Sequence, residues 1–314
     1  MVNFIQKEMM KRLLCAAVFS AVVCGAFAIR PDRTYIRRPE ALGLMYRELE
    51  VVTDDGMRLA VWFFPAQQPL SDAEFSALGG ARRAYAADGG RHSTVVICNG
   101  DAGNMSYFQL HLARALTARG FNVATFDWRG FGESAPFEMN PDWLCCTGML
   151  HDYRAVVDAV ARQPEVRRRA IAVMGWSTGA YLSMMTAHAN RHVRAFVGRS
   201  LATDFGDFVP LVMQVRGKSR EQLIVPPDFP AERMPVHIAP RFRKAVFLIN
   251  GDRDLRTPLW MSRRILELLP ERTPRELMVV EGAAHGGMED PMLLDFDRFI
   301  DRVSAFLSRN LPSR

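Results

Sequence analysis

The chain has 314 residues, of which 49% are hydrophobic, 24% charged and 10% aromatic, proportions that exclude long disorder, collagen-like repeats and polytopic membrane architecture. Forty Lys and Arg face 34 Asp and Glu, a net charge of +6 with a pI of about 9.3; 36 of the forty are Arg, the lysines being Lys7, Lys11, Lys218 and Lys244. Such an excess raises nucleic acid or an anionic membrane surface as partners. It is scattered, however: the longest run in the body, Arg167-Arg168-Arg169, reads as a solvated turn before a strand, and no zinc spacing or aromatic-basic sheet face supports a nucleic-acid partner.

Lys7, Lys11 and Arg12 precede an uncharged run from Leu13 to Ile29 that contains the small-x-small triplet Ala26-Phe27-Ala28. A positive n-region before an apolar h-region is the pattern of a secretory signal, and the run's 17 residues fall short of the roughly 20 that span a membrane. The expectation is that residues 1–28 are a signal, cleaved after Ala28, and that the product is periplasmic or secreted. An uncleaved anchor and lipid attachment at Cys24, which would hold the protein at a membrane surface, are the alternatives. Removing the segment takes away three bases and Glu8 and leaves a net charge of about +4. Cys98, Cys145 and Cys146 then remain, too few for a disulfide framework and without metal-ligand spacing. Free thiols at Cys145-Cys146 are expected over a strained vicinal disulfide.

Along the body, Tyr46–Val52 and Met57–Phe64 alternate as two strands about the Asp54-Asp55-Gly56 turn, an antiparallel hairpin. Residues 67–92, with Gly79-Gly80 and Gly89-Gly90, read as an exposed insertion. Thr94–Cys98, Phe121–Phe126, Ala170–Met174, Val193–Val197, Ala245–Ile249 and Glu276–Val280 are short apolar runs. They alternate with helical spacing over Tyr107–Arg119, Leu150–Arg162, Ala180–Ala189 and Leu259–Leu269, and Phe296–Asn310 closes the chain as an amphipathic helix. Continuous apolar strands separated by helices imply an α/β fold with a mostly parallel, doubly wound sheet covered on both faces. No linker divides it, so residues 29–314 are expected to be one domain. The stretch from Leu201 to Pro240, rich in Pro, Phe and Met, is too long for an ordinary connection and is expected to be a lid.

Gly175-Trp176-Ser177-Thr178-Gly179 lies between the strand Ala170–Met174 and the helix from Ala180, the context of a nucleophile elbow. Its glycines suit a turn so tight that a side chain two residues before or after the serine would collide. A serine hydroxyl needs a base, and the base an orienting acid. Of seven histidines, His285 follows the last strand in Gly282-Ala283-Ala284-His285-Gly286-Gly287, where small neighbours let an imidazole approach. His111, His151 and His188 fall in helices, His92 and His192 in polar turns, and His237 in the lid. For the acid, Asp254 stands in the loop before Pro258; Asp252 is its rival, with a surface Asp252–Arg256 pair as the structural alternative. The order Ser177, Asp254, His285, all at strand C-terminal ends, is the order of α/β-hydrolases. Two backbone N–H groups must face the developing oxyanion; Thr178 and Asp101, the latter in Asn99-Gly100-Asp101-Ala102-Gly103-Asn104, are the candidates, the Asp101 carboxylate having to point away.

On these motifs, with Asp127-Trp128-Arg129-Gly130-Phe131-Gly132-Glu133-Ser134 between them, the sequence resembles the α/β-hydrolase superfamily over residues 46–310. It looks most like the single-domain lipase, thioesterase and serine-aminopeptidase-like branch. The resemblance implies a serine hydrolase working through an acyl-enzyme, with Arg129 and Ser134 as scaffold and no metal or organic cofactor. The family usually has His-Gly where Asn99-Gly100 stands and a neutral residue at Asp101. Trp176, Phe205, Phe208 and Met213 are candidate contacts for a hydrophobic acyl group, giving a small-molecule ester or thioester as the expected substrate; lid core is the other reading of the lid residues. An aminopeptidase would need acids such as Asp204, Asp207 or Glu221 for the substrate ammonium. A non-catalytic exported binding protein is the alternative from a different class.

Overall fold

The computed structural model describes residues 28–69, 85–87 and 90–312. The expected targeting segment up to Phe27, with Cys15 and Cys24, lies outside them, as do Gly79-Gly80 and Gly89. Among the described residues eight strands form one sheet: β1 (Arg47–Glu48), β2 (Val61–Phe64), β3 (His92–Ile97), β4 (Asn122–Phe126), β5 (Val166–Trp176), β6 (Val193–Arg199), β7 (Ala245–Gly251) and β8 (Arg275–Val280). Their spatial order is β1-β2-β4-β3-β5-β6-β7-β8. β1 and β2 run antiparallel to their neighbours and every other pair is parallel. The hairpin expected about Asp54-Asp55-Gly56 is present, with Val51 opposite Leu59 and Gly56 at φ 84° in the turn.

Among the described residues six helices of nine residues or more connect or follow these strands: α1 (Gln109–Thr117), α2 (Gly148–Ala161), α3 (Thr178–Ala189), α4 (Phe205–Arg216), α5 (Leu259–Leu268) and α6 (Phe296–Asn310). They explain why the strands read as unbroken apolar runs. Successive side chains of a strand point to opposite faces, so Val96, Ile171, Val173, Val246 and Leu248 enter a core with α2, α3 and α4, while Val95, Ile97, Ala172, Phe247 and Ile249 enter another with α1 and α6. α6 covers its face with Phe299, Ile300, Val303, Phe306 and Leu307, spaced for one helical stripe. α3 is buried almost all round.

Two local readings differ from the structure. The stretch expected to be irregular contains α4, N-capped by Asp204, whose carboxylate accepts from the Asp207 N–H at 2.8 Å. Pro210 lies inside that helix and hides it from the sequence pattern. Arg167-Arg168-Arg169 falls within β5 rather than before it, although the ladder to β3 jumps from Val166 to Ile171 and leaves Arg168 and Arg169 exposed. Cys145 and Cys146 are free thiols as expected, and they and Cys98 are buried. Among the described residues no helix is long and apolar enough to cross a membrane.

Buried polar groups pin the turn after β4. Arg129 is bracketed by Asp152 at 2.7 Å and Asp55 at 2.6 Å, and the Ser134 hydroxyl donates to the Asp127 carbonyl at 2.7 Å. The Asp127 carboxylate accepts from the Tyr35 hydroxyl and the Met105 N–H, both at 2.7 Å. Burial pushes the Asp127 carboxyl up to about 7 against those two hydrogen bonds. Between the ordinary value of 3.8 and about 7 the folded protein keeps a proton that the unfolded chain has released. This group's contribution is therefore full below that window and is lost as the pH rises through it. In Asp127→Asn the fall in urea midpoint between about pH 5 and about pH 7.5 is expected to be smaller than in the wild type; an unchanged fall would contradict the assignment.

Candidate active site

Ser177 sits alone between β5 and α3 at φ 53° and ψ −117°, a conformation that costs a non-glycine residue about 1–3 kcal/mol. The turn holds it there because both flanking glycines are hemmed in by backbone. A Cβ on Gly175 would lie 2.2 Å from the Gly179 carbonyl oxygen, and one on Gly179 would lie 1.9 Å from that of Asn99. The Ser177 N–H donates to the Arg199 carbonyl on the neighbouring β6 at 3.0 Å. Thr178 is the first residue of α3, so its N–H has no intrahelical acceptor and points past the helix end.

The parallel register of β5 to β8 brings the loops after β7 and β8 to the same edge. There His285 Nε2 lies 2.9 Å from Ser177 Oγ, and His285 Nδ1 lies 3.0 and 3.1 Å from the two Asp254 oxygens. All three residues are less than 10% exposed. Asp254 also accepts from the main-chain N–H groups of Arg256 and Thr257, both at 2.9 Å, and from the Thr257 hydroxyl at 2.8 Å. Burial by itself would raise the Asp254 carboxyl, but the hydrogen bonds from His285 and Thr257 prevail and hold it below the ordinary carboxylate value. The rival Asp252 instead accepts from the Gly282 N–H at 2.7 Å. The other described histidines lie elsewhere: His92 opens β3, His111 meets Arg37, His151 Asp54, His188 the Phe242 ring, His192 the Arg168 carbonyl, and His237 lies near Asp204.

Trp176 ties the elbow to the histidine loop. Its Nε1 donates to the His285 carbonyl at 3.0 Å, and its ring lies against Gly100 and Gly286, where added Cβ atoms would come within 3.0 and 2.8 Å. The Arg199 guanidinium stands 5.0 Å over the same ring and pairs at 2.7 Å with Asp290, five residues beyond His285. Burial raises the Asp290 carboxyl, opposed by Arg199. Thr257, Arg199 and Asp290 were not singled out from the sequence. Only Arg199 leaves a trace there, a charge ending the apolar strand Val193–Arg199.

In the loop after β3, the Asn99 side-chain amide donates to the Ala102 carbonyl, closing the loop where the resembled family carries histidine. Arg30 donates its N–H to the Asp101 carbonyl at 2.8 Å, and Arg30–Pro31 runs parallel to Ala102–Gly103. The Asp101 carboxylate faces Arg216 at the end of α4, 3.7 Å away. Phe205 and Phe208 are 8% and 7% exposed. Phe205 packs edge-on against Tyr181 and Phe229, and Met213 lies on the same cluster, half-buried. The group most able to hold a metal among the described residues, Asp54, Asp55 and His151, is surface-exposed and its carboxylates are engaged by Arg154 and Arg129.

A family model described as serine aminopeptidase, S33, matches residues 89–235. The uncharacterized protein Rv2307c of Mycobacterium tuberculosis is 31% identical over 263 residues, which is 83% of this chain and 79% of that protein. Among solved structures, the Pyrococcus furiosus esterase Pf2001 superposes with a TM-score of 0.69 at 20% identity, over 90% of this chain and 98% of that one. A puromycin-hydrolyzing peptidase of M. tuberculosis superposes with a TM-score of 0.67 at 19% identity, over 86% of this chain and 40% of that one. The two structural likenesses are likenesses of fold.

Asp290→Leu strands the Arg199 guanidinium without its counter-charge, which is expected to cost about 3–5 kcal/mol. Arg199→Met combined with Asp290→Leu should restore most of that loss, read as urea midpoints of the three proteins. A double variant no more stable than the single one would show that the pair does not act as a unit.

Proposed function

The chain belongs to the α/β-hydrolase superfamily, and from that premise we propose that it is a serine hydrolase cleaving a carboxylic ester or thioester with an apolar acyl portion. The observation that carries this reading is the hydrogen-bonded line from Asp254 through His285 to Ser177. In it Ser177 Oγ attacks the carbonyl carbon while His285 Nε2 takes its proton. Asp254 holds the ring through Nδ1 and stabilises the imidazolium. The N–H groups of Asp101 and Thr178 receive the oxyanion. Collapse of the tetrahedral adduct expels the leaving group, which takes the proton from His285. A water then gives its proton to His285 and attacks the acyl-enzyme, releasing the acid and Ser177.

The three acids that an aminopeptidase would draw on are otherwise disposed. Asp204 caps α4, Asp207 accepts from the Thr203 hydroxyl at 2.6 Å, and Glu221 lies exposed on a short 3-10 turn. That supports an ester over a peptide with a free amino terminus. Amide hydrolysis is the second reading, favoured by the family model's description and by the puromycin hydrolysis for which one fold relative is named. Trp176 and Met213, which are half-buried, would take part in acyl recognition where they face the cleft, whereas Phe205 and Phe208 are buried in the lid core. Export belongs to the same proposal and rests on the N-terminal charge and hydropathy pattern.

Ser177→Ala is expected to lower turnover of p-nitrophenyl butyrate by about 10⁴-fold or more and to abolish labelling by a fluorophosphonate. Retained turnover would overturn the assignment, and a wild-type protein that neither turns over nor labels would point to a binding role.

A further inference from the structure

Charged side chains converge around the candidate site from three directions. The loop after β3 contributes Asp101, whose N–H is a candidate oxyanion donor. The C-terminal end of α4 and the residues just past it contribute Arg216 and Lys218. The loop after β7 contributes Arg256, two residues beyond Asp254. Arg216 lies 3.7 Å from Asp101. Arg256 lies within electrostatic reach of Arg216, Asp101 and Asp254 together, and Lys218 within reach of Arg216, Asp101 and Asp142. The cluster therefore sets three cations against three acids, Asp101, Asp142 and Asp254, the last of which is also held by His285.

Arg256 is the member without a close-range partner. It is half-buried, its main-chain N–H is spent on Asp254, and its guanidinium has no hydrogen-bond or ion-pair acceptor among the described residues. Burial and the neighbouring Arg216 both act against its charge. Arg216 has only the single, long contact to Asp101. Two half-buried guanidinium groups within electrostatic reach of each other repel, and an anion between them relieves that repulsion. A guanidinium fork is also the side chain best shaped to grip a carboxylate or phosphate in two-point contact.

We infer that the substrate carries an anionic oxyacid group, a carboxylate or phosphate, bound by Arg256 and Arg216 beside the scissile carbonyl, so that the enzyme favours anionic acyl compounds over neutral or cationic ones. The inference rests on the serine-hydrolase reading and names its substrate class. It also accounts for the departure at Asp101: a negative side chain next to an oxyanion loop is tolerable where Arg216 neutralises it, and it orients that guanidinium across the mouth.

The test uses the whole protein and three p-nitrophenyl esters of one acyl length: hexanoate, monoadipate and 6-aminohexanoate. Leaving-side recognition is read with the acetyl esters of 4-hydroxybenzamide, 4-hydroxybenzoate and 4-hydroxyphenyl phosphate, the last two separating carboxylate from phosphate. Each kcat/KM is divided by the rate of hydroxide hydrolysis. In at least one series the anionic ester is expected to exceed the neutral one by about tenfold or more, and the cationic ester to be the poorest of the acyl series. Arg256→Gln and Arg216→Gln should bring the anionic-to-neutral ratio towards one. Loss of fold or of elbow geometry would lower both esters together and leave the ratio standing, so the ratio is the readout. A neutral or cationic ester preferred in both series, or a ratio unmoved in both variants, overturns the inference while the hydrolase reading stands. If the wild type turns over none of the esters and Ser177 does not react with a fluorophosphonate, the hydrolase reading falls and takes the inference with it.

Discussion

One added methyl group between Gly179 and the Asn99 carbonyl would overlap backbone at 1.9 Å, and the geometry of the site follows from that close approach. It sets the loop after β3, which carries Asp101, directly beside the elbow of Ser177 and Thr178. It also keeps Ser177 in a backbone conformation that an open turn would relax, with the N–H bond to Arg199 fixing the elbow to β6. From there the parallel register does the rest. β5, β6, β7 and β8 end at one edge, and the side chains that follow β7 and β8 need only short loops to arrive at the serine.

The charges around this edge divide into two kinds. Arg129 with Asp55 and Asp152, and Arg199 with Asp290, are compensated at close range. Such pairs add little stability over apolar packing of the same shape. Their effect lies in which backbone segments they bind together: the turn after β4 with α2 and the hairpin, and the serine strand's neighbour with the histidine loop. Arg256 has no such partner. A closely paired ion fixes a loop, whereas one without a close partner can meet something outside the chain.

The sheet and the three residues at its edge were legible because each follows an apolar run of strand length, and strand ends are visible in sequence. The order Ser177, Asp254, His285 needed no knowledge of contacts. What stayed hidden has common physical causes. Helix α4 escaped because Pro210 interrupts its pattern, while the signal that did exist, Asp204 three residues before Asp207, was weighed as a possible substrate contact instead of a cap. Thr257 escaped although it bonds Asp254 only three residues away, because a threonine in a polar loop carries no pattern of its own; Arg199 and Asp290 escaped because their roles lie in contacts across the fold. Arg199 meets Asp290 at a separation of 91 residues, and no local periodicity marks either end. Phe205 and Phe208 were visible as apolar, but their direction, into the cluster with Tyr181 and Phe229, depends on a helix that was not foreseen.

The short ladder between Arg30–Pro31 and Ala102–Gly103 has a consequence for assembly. Its neighbourhood is closed by Asn104, whose side chain donates to the carbonyls of Asp32 and Thr34, 72 and 70 residues away. Contacts of that sequence separation carry a loop-closure cost that local helices and hairpins do not. The rear wall of the loop beside Ser177 is therefore a long-range property of the chain, completed only when its first described residues dock, and a nick between Pro31 and the hairpin would detach that wall while leaving the sheet whole.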